Sequence, residues 1–173
     1  MYILNIETAT KNCSVSLAQN GKTIQCIEMA EIGYSHAEKL HVFMEQLITQ
    51  NNISFTDLSA IAVSQGPGSY TGLRIGVSAA KGLCYALNIP LIAVDTLQIL
   101  AHQITINDGL IIPMIDARRM EVYSAVFDKN YSKIRAVEAE VIDENYFTNY
   151  TDYVYIIGDC AEQLKPMISN SVA

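Results

Sequence analysis

A glycine-rich run in the middle of the sequence joins a strand pattern to a helix pattern. Residues 66–76 read G-P-G-S-Y-T-G-L-R-I-G, and they follow a short apolar stretch, residues 60–65, in which Ile61 and Val63 predict a buried strand. Glycine tolerates tight turns that residues with a Cβ cannot make, so the run predicts a turn that leads from the strand straight into a helix. The helix must then begin beside the end of a buried strand, as it does in an α/β fold.

The same run is similar to a phosphate-binding loop, but its spacing differs from both established patterns. A P-loop needs a lysine and a hydroxyl residue after its second glycine, because these hold the outer phosphates and magnesium. Here Leu73 and Arg74 follow Gly72. A dinucleotide-binding fingerprint counted from Gly66 needs a third glycine where Thr71 stands. The glycines are therefore expected to serve the turn and not a nucleotide. The predicted structural turn residues are Gly66, Gly68 and Gly72.

The composition predicts a large core and a surface that is poor in charge. Hydrophobic residues make up 50% of the 173 residues and charged residues 17%, so part of the apolar surface is expected to meet a partner protein. The net charge is −7, and the eleven basic residues are scattered apart from Arg118 and Arg119. An independent nucleic-acid-binding protein would carry a basic patch, so any contact with nucleic acid is expected to be indirect. The two arginines lie in residues 116–121, which form either a solvated turn with paired charges or a contact for an acidic partner or a phosphate.

Cysteine usage and the N-terminal residues indicate where the protein is located. The cysteines show no C-x-x-C spacing, which favours small apolar side chains in a reducing compartment. The N-terminal residues carry no basic segment typical of a signal peptide, and no apolar run is long enough to span a bilayer. We therefore expect a cytoplasmic protein that does not contact a membrane.

The order of predicted elements in the first part of the chain indicates its fold class. Alternating apolar residues, with Asn20 and Gly21 as a hairpin signal, predict three consecutive strands. A capping box of Ser35 and Glu38 begins the first predicted helix. The strands are expected at residues 3–7, 13–18, 23–28, 60–65 and 91–94, and the helices at residues 35–50, at residues 73–87 and directly after Asp95. This order, a meander of three strands followed by two crossover units, predicts the α/β ribonuclease-H-like fold that forms half of an actin-like ATPase.

A second series of strands begins after the N-D-G tripeptide at residues 107–109. These strands are predicted at residues 110–116, 121–127, 134–142 and 153–157, with a final helix after Gly158. We therefore expect two lobes, residues 1–106 and residues 107–173. The sequence stops at Ala173 without a closing element, so the second lobe is expected to be truncated.

The sequence offers few candidates for catalysis or metal binding. A two-metal nuclease needs several carboxylates, but Glu7 at the end of the first strand has no acidic counterpart at Ser64 and Gln65, where the fourth strand ends. Nearby backbone amides are expected to bind the Glu7 carboxylate. His36 and His41 are five residues apart, which places them about 140° apart around a helix, so they do not form a zinc-binding pair. They are expected to be polar or interface side chains, and no catalytic residue, metal ligand or cofactor is assigned.

The helix after the glycine run is apolar on almost every side. Its polar residues Arg74, Ser78, Lys81 and Tyr85 fall on one narrow stripe, whereas a surface helix needs only one apolar face. Two arrangements remain open. The second apolar face packs on a helix of another protein, or it is buried against the first helix or the second lobe. Under the first arrangement the candidate interface residues are Leu40, His41, Met44, Leu73, Gly76, Val77, Ala80, Leu83, Cys84 and Leu87.

Four blocks of the sequence occur in an order that one protein family shares. The blocks are I-E-T-A-T-K-N-C-S-V-S-L at residues 6–17, S-H-A-E at residues 35–38, G-P-G-S-Y-T-G-L-R-I-G at residues 66–76 and D-A-R-R-M-E-V-Y at residues 116–123. Through these blocks the chain resembles the TsaB family of tRNA threonylcarbamoyladenosine biosynthesis proteins. Members of that family usually carry aspartate in place of Glu7 and phenylalanine in place of Tyr70, and they usually extend beyond Ala173.

The resemblance implies an actin-like fold of two lobes in a protein that has lost catalysis. TsaB-like proteins pair with TsaD, a metal- and nucleotide-binding subunit that transfers a threonylcarbamoyl group to the adenosine beside the anticodon of tRNA, and a small ATPase, TsaE, joins that complex. This implies a scaffold without a cofactor that binds and activates a TsaD-like subunit through the two predicted helices and meets tRNA only indirectly. We also expect a homodimer through the same surface when the partner is absent. The alternative is an enzyme, either an actin-like ATPase or a peptidase that acts on the partner subunit.

Overall fold

The computed structural model describes most of the chain. The described residues are 1–30, 36–119, 121–143 and 146–160. The expected helix cap at Ser35 and the final helix expected after Gly158 lie outside them. None of the helices in those ranges is long and apolar enough to cross a bilayer. Contacts between Cα atoms divide the chain into two units, Met1–Asp95 and Thr96–Ala173.

A five-stranded mixed sheet forms the first unit. Its strands are β1 (Tyr2–Glu7), β2 (Asn12–Gln19), β3 (Lys22–Ala30), β4 (Leu58–Gly66) and β5 (Leu91–Asp95), in the order β3-β2-β1-β4-β5. The first three strands form an antiparallel meander, and β4 and β5 run parallel to β1. Helix α1 (His36–Gln50) connects β3 to β4, and helix α2 (Tyr70–Leu87) connects β4 to β5. The predicted ribonuclease-H-like order is confirmed.

Local sequence signals account for two of the turns. Asn20 and Gly21 have φ angles of 51° and 81°, the left-handed values that a tight hairpin between β2 and β3 requires. At the end of α2, Asn88 has a φ angle of 53° and its N–H donates to the carbonyl oxygen of Cys84. This left-handed cap ends the helix two residues before Pro90. Both turns therefore depend on residues that tolerate positive φ.

Helices α1 and α2 lie on the same face of the sheet and run in the same direction. Strands β3, β4 and β5 are all parallel to β1, so each helix starts after the carboxyl end of a strand and returns across the sheet. Buried side chains from this face of the sheet and from both helices pack together in one cluster. Its members are Leu4, Ile6, Cys13, Val15, Leu17, Leu40, Phe43, Met44, Leu47, Ile48, Leu58, Ile61, Val63 and Ala80. The sheet and the two helices therefore share one hydrophobic core.

A four-stranded sheet forms the second unit. Its strands are β6 (Leu110–Arg118), β7 (Glu121–Asp128), β8 (Lys133–Val141) and β9 (Val154–Ile157), in the order β8-β7-β6-β9. Helix α3 (Thr96–Ala101) packs with Ile111 and Phe127 of this sheet. A 3₁₀ turn, Tyr146–Asn149, packs with a separate cluster that includes Met114. The strands predicted for the second lobe are present, and the sheet is covered by short helical segments.

Helix α3 explains why the predicted boundary between the two lobes differs from the boundary between the two units of the structure. The sequence placed the boundary after residue 106, because α3 follows the last strand of the ribonuclease-H-like order. In the structure the second unit begins at Thr96, since Leu97 and Ala101 are buried in its core. A helix of six residues carries too few apolar positions to indicate which sheet it covers.

A polar network lies between β7 and β8 in the second unit. The register of these strands shifts next to Ser124, which places Arg135 and Glu140 on one face. Arg135 donates to Ser124 Oγ at 2.7 Å and to the Tyr146 hydroxyl at 2.8 Å, and it forms ion pairs with Glu138 and Glu140. Burial opposes the charge of Glu140, but hydrogen bonds from Arg135, Ser124 and Tyr146 outweigh it and lower the pKa of this carboxyl.

Candidate functional site

The glycine run forms a tight turn between β4 and α2. Ser69 is the N-cap of α2, and its Oγ accepts a hydrogen bond from Gly72 N at 3.2 Å. Ser69 N donates to Ala9 O at 2.6 Å, and Leu73 N donates to Ser69 O at 2.8 Å. Amides at a helix N-terminus are the donors that hold a phosphate. Because protein oxygens accept from these three amides, the turn does not offer them to a nucleotide.

Two glycines of the run let α2 approach the residue that follows β1. A Cβ on Gly72 would lie 2.0 Å from Thr8 O, and a Cβ on Gly76 would lie 2.2 Å from Thr8 Oγ1. The Thr8 hydroxyl donates to Gly72 O at 2.8 Å. Upstream in the turn, Gly66 and Gly68 have φ angles of 110° and 155°. Gly76 thus serves the contact between α2 and its own sheet, whereas the sequence had placed it at a partner interface.

Glu7 ends β1 beside this turn. Its Oε1 accepts from Ala9 N at 2.6 Å and from Ser64 Oγ at 2.8 Å. Burial raises the pKa of the Glu7 carboxyl above its usual value of 4.5, although these hydrogen bonds oppose the shift. Within the ranges that the structure describes, no three His, Cys, Asp or Glu side chains are grouped so that they could hold a metal ion. The contacts of Glu7 anchor the turn.

The two histidines of α1 differ in burial. His36 is 1% exposed, its Nε2 lies 2.9 Å from Thr10 O, and its Cδ2 lies 3.3 Å from the place of a Cβ on Gly72. It fixes the start of α1 to the same turn that holds α2, so it is not available as an interface side chain. His41 is exposed and stays a candidate for the interface.

Burial divides the other predicted interface residues into two groups. Leu40 and Ala80 are 0% exposed, Met44 is 1% exposed, and Gly76 is buried. A side chain without accessible surface cannot contact a second protein, so these four residues belong to the core and the interface assignment does not hold for them. The remaining five are half-buried, and their place in an interface stays a prediction. They are Leu73, Val77, Leu83, Cys84 and Leu87.

The outward side of α1 and α2 is formed by residues that are all exposed. We call it the outer helix surface, and it consists of Glu38, His41, Val42, Glu45, Tyr70, Arg74, Ser78, Lys81 and Tyr85. Tyr85 is 92% exposed and Tyr70 is 74% exposed, and the guanidinium of Arg74 lies 5.3 Å from the centre of the Tyr70 ring. The polar stripe of α2 was visible in the sequence, but the apolar majority of the helix favoured residues that face the core as interface candidates. The available signal was Tyr85 at the end of that stripe and Tyr70 four residues before Arg74.

The hairpin between β6 and β7 carries two adjacent arginines. Arg118 and Arg119 are exposed and have φ angles of 69° and 54°. Asp116 Oδ1 accepts from Arg118 N at 2.8 Å, and Asp159 Oδ1 accepts from Asp116 N at 3.0 Å. The two acids thus hold backbone amides of a solvated turn. A contact of the arginines with an acidic partner or a phosphate stays a prediction.

Comparison with known proteins identifies the family. The family model of TsaD, tRNA N6-adenosine threonylcarbamoyltransferase, matches residues 30–153. The chain is 35% identical over 136 residues to the tRNA threonylcarbamoyladenosine biosynthesis protein TsaB of Escherichia coli, covering 78% of this chain and 58% of that protein. The chain belongs to the TsaB family. TsaB of Bacillus subtilis is 36% identical over 145 residues, which cover 84% of this chain and 62% of the relative.

A solved structure agrees with this membership. YeaZ from Pseudomonas aeruginosa superposes with a TM-score of 0.70 at 28% sequence identity, covering 84% of this chain and 68% of that one. The actin-like, ribonuclease-H-like fold class predicted from the sequence is therefore confirmed. The chain spans about 60% of the length of the two curated TsaB relatives, 58% in one and 62% in the other.

Proposed function

We propose that the protein is a non-catalytic scaffold subunit in the synthesis of threonylcarbamoyladenosine in tRNA. It binds a TsaD-like catalytic subunit through the outer helix surface and activates it for transfer to the adenosine next to the anticodon. The observation that carries the proposal is the match of a transferase family model to a chain whose glycine turn bonds three amides, those of Ser69, Gly72 and Leu73, to protein oxygens. Such a chain shares a family with the transferase and is suited to support it without performing the reaction.

The outer helix surface supports a protein partner. Tyr70 and Tyr85 expose most of their rings and Val42 is 45% exposed, and Arg74 stacks beside Tyr70. Tyrosine and arginine, together with tryptophan, are enriched among the residues that carry most of the binding energy of protein interfaces. The half-buried apolar side chains of α2 border this surface and add to the area that a second helix would cover. A subunit of the same family would present its own equivalent helices to it.

The contacts of the histidines do not favour a peptidase. A serine or cysteine peptidase of the triad type needs a histidine that faces its hydroxyl or thiol nucleophile. His36 Nε2 pairs with Thr10 O, and His102 Nδ1 pairs with Gln98 O, so both of these contacts are with backbone oxygens. Burial together with nearby acids raises the pKa of Cys160 to about 12, which keeps that thiol protonated and a poor nucleophile. An ATPase is likewise disfavoured by the bonded amides of the glycine turn.

The remaining components of the assembly follow from the resemblance and from charge. We infer that the catalytic subunit holds the tRNA, because this chain has a net charge of −7 and phosphate contacts need clustered basic residues. A TsaE-like ATPase completes the complex. The reaction and its proteins are cytoplasmic, in keeping with the free cysteines of the chain.

Reconstitution with the TsaD-like subunit of the same organism tests the proposal. The double variant Val42→Glu with Tyr85→Glu places charge on the outer helix surface without touching a buried residue. It is expected to lose complex formation, measured by size-exclusion chromatography with light scattering, and to lose threonylcarbamoylation of tRNA, measured by mass spectrometry. Tyr153→Glu, at a residue of the second unit that is 76% exposed, is the matched control and should behave as wild type.

Three results would contradict the proposal. Normal binding and modification by the Val42→Glu, Tyr85→Glu variant would show that the outer helix surface is not the docking site. Absence of both binding and stimulation with the wild-type chain would remove the scaffold function itself. ATP or peptide hydrolysis by the isolated chain would favour the enzyme alternative.

A further inference from the structure

The hairpin between β6 and β7 departs from the residue preference of its own turn. Arg118 and Arg119 have φ angles of 69° and 54°, so two consecutive residues hold the left-handed conformation. The hairpin between β2 and β3 has the same feature at Asn20 and Gly21, with φ angles of 51° and 81°. Asparagine and glycine adopt these angles readily, whereas a long side chain on a Cβ adopts them at a cost. The molecule thus contains one such turn with the favoured residues and one with a pair of arginines.

Main-chain amides and acidic side chains hold the backbone of the β6–β7 turn. Asp116 Oδ1 accepts from Arg118 N at 2.8 Å, and Asp159 Oδ1 accepts from Asp116 N at 3.0 Å. The pairing of β6 with β7 ends where Arg118 opposes Glu121. These bonds form between backbone groups or between backbone amides and carboxylates, so they do not require a guanidinium. None of these contacts accounts for the choice of arginine.

The exposure and the rarity of this arginine pair indicate a functional role. Both arginines are exposed, and they are the only adjacent pair among the eleven lysines and arginines of the chain. Residues that break a local preference without a gain in folding are candidates for functional residues. The pair lies in the sequence block of residues 116–123, which is not part of the outer helix surface. Docking through the two helices therefore leaves the arginines unexplained.

We propose that Arg118 and Arg119 bind carboxylate side chains of an acidic segment on the TsaD-like subunit. A guanidinium can donate two parallel hydrogen bonds to one carboxylate, and arginine is weakly hydrated and enriched in protein interfaces. Two arginines at successive positions of a turn match two neighbouring acidic side chains. The inference rests on the proposed function in taking that subunit as the partner. It adds a second contact with the subunit and the chemistry of the segment that makes it.

The charges around the turn favour a protein segment over RNA. Asp116, Glu121 and Asp159 are exposed and border the two arginines, so three acids accompany two bases. The chain as a whole has a net charge of −7. RNA carries a phosphate charge at every nucleotide, and the surrounding acids repel such a dense row of charges. A short acidic segment brings only a few charges, which the arginines can pair directly.

The variant R118N/R119G tests the proposal, because it gives this turn the residues of the β2–β3 hairpin and removes both guanidinium groups. Its free energy of unfolding in urea is expected to equal or exceed that of wild type. Its affinity for the TsaD-like subunit, measured by isothermal titration calorimetry, should fall at least about tenfold. R118K/R119K keeps the charges but not the paired donors, so its loss of affinity should be smaller. The affinity of wild type should depend more steeply on salt concentration than that of R118N/R119G.

A matched control separates the position of the charges from the change in net charge. K22Q/K129Q alters two exposed lysines outside this turn and also removes two positive charges, so it should bind as wild type. Normal binding of the TsaD-like subunit by R118N/R119G would overturn the proposal. A loss of stability in R118N/R119G would also overturn it, because the turn would then need its arginines for folding. Normal binding of the subunit together with a loss of tRNA affinity in the mixture would assign the pair to RNA instead.

The result can be separated from the test of the proposed function. If Val42→Glu with Tyr85→Glu abolishes binding and R118N/R119G does not, the scaffold function stands and the arginine contact is wrong. If R118N/R119G weakens binding and the helix variant does not, the arginine contact stands and the outer helix surface is not the docking site. If the wild-type chain does not bind the TsaD-like subunit, both proposals are wrong.

Discussion

Glu7 and Thr8 connect the first strand to the start of α2. Glu7 accepts from Ala9 N, Ala9 O accepts from Ser69 N, and the Thr8 hydroxyl donates to Gly72 O. The helix therefore docks on a backbone that one half-buried carboxylate holds in place. The contacts stabilise the turn, whereas the desolvation of the carboxylate opposes them.

Glu7→Gln is expected to flatten the pH dependence of stability. Burial raises the pKa of Glu7 above its usual 4.5, so the folded chain keeps a proton at pH values where the unfolded chain has released it. The wild type therefore loses stability as the pH rises from 4.5 through the raised folded value. Glutamine keeps an acceptor oxygen for Ala9 N and Ser64 Oγ but does not titrate. Urea unfolding followed by circular dichroism should show the variant gaining stability relative to wild type as the pH rises.

The control for Glu7→Gln is Asp108→Asn, which removes a carboxylate from an exposed loop. Its free energy of unfolding should follow the wild type across the same pH range. If the difference in the free energy of unfolding between Glu7→Gln and wild type stayed constant across this pH range, the Glu7 carboxyl would have the same pKa in the folded and the unfolded chain. The raised pKa that we assign to burial would then be wrong.

The glycines of α2 are expected to respond in opposite ways to alanine. In Gly76→Ala the new Cβ would lie 2.2 Å from Thr8 Oγ1, so the helix must shift from the sheet, at a cost of about 1–3 kcal/mol in the free energy of unfolding. Gly82 has no heavy atom within 4 Å of that position, and alanine there should stabilise the helix by up to about 1 kcal/mol. Chemical denaturation of both variants measures the difference. If Gly76→Ala and Gly82→Ala changed the free energy of unfolding by the same amount, the close contact with Thr8 would not determine how near α2 lies to the sheet.

The polar network between β7 and β8 is expected to depend on Arg135. Arg135→Met removes the ion pairs to Glu138 and Glu140 and leaves Glu140 partly buried without its cation, at a cost of about 1–3 kcal/mol at neutral pH. The interactions that lower the pKa of Glu140 stabilise the fold at pH values above 4.5, the usual pKa of a glutamate carboxyl. That stabilisation is lost as the pH falls through the lowered pKa of the folded chain. The difference in the free energy of unfolding between Arg135→Met and wild type should therefore be smaller in acid than at neutral pH. Thermal unfolding at neutral and at acidic pH measures this difference. Lys129→Met, at an exposed turn residue, is the control at each pH.

Periodicity predicted the elements of this chain because most of them bury one face in a regular pattern. In β2, Cys13, Val15 and Leu17 alternate in the sequence and all three are buried. The orientation of α2 was not predictable in the same way, since the face that meets the sheet is built from Gly76 and Ala80, which add little to an apolar pattern. That face is set by the position of Thr8, a contact between distant parts of the sequence.

His36 shows a second limit of prediction from the sequence. It is a polar residue on the face of α1 that also carries Leu40 and Leu47, and all three are buried. The spacing of four residues from His36 to Leu40 was a signal that it faces the core. The acceptor at Thr10 O was not visible in the sequence, and without an acceptor a polar side chain is expected on the surface.

At the scale of the whole molecule, charge is scarce and unevenly placed. Charged residues make up 17% of the chain and the net charge is −7. The basic residues of the outer helix surface lie beside acids, and Arg118 and Arg119 share their turn with Asp116 and Glu121. The field of such a molecule repels a polyanion at long range and favours partners with their own basic residues.

The isolated chain is therefore expected to bind tRNA only weakly, with a Kd above about 10 µM at physiological salt, which is the range of non-specific binding. Fluorescence anisotropy with labelled tRNA measures this for the chain, for the TsaD-like subunit and for the two together. The mixture should bind at least as tightly as the TsaD-like subunit alone. The variant R118E/R119E separates the two origins of any binding by the mixture. If the mixture made with this variant binds tRNA as tightly as the wild-type mixture does, the tRNA contact belongs to the catalytic subunit, as net charge implies. Nanomolar binding by the isolated wild-type chain that disappears in R118E/R119E would instead show that the β6–β7 hairpin contacts RNA directly.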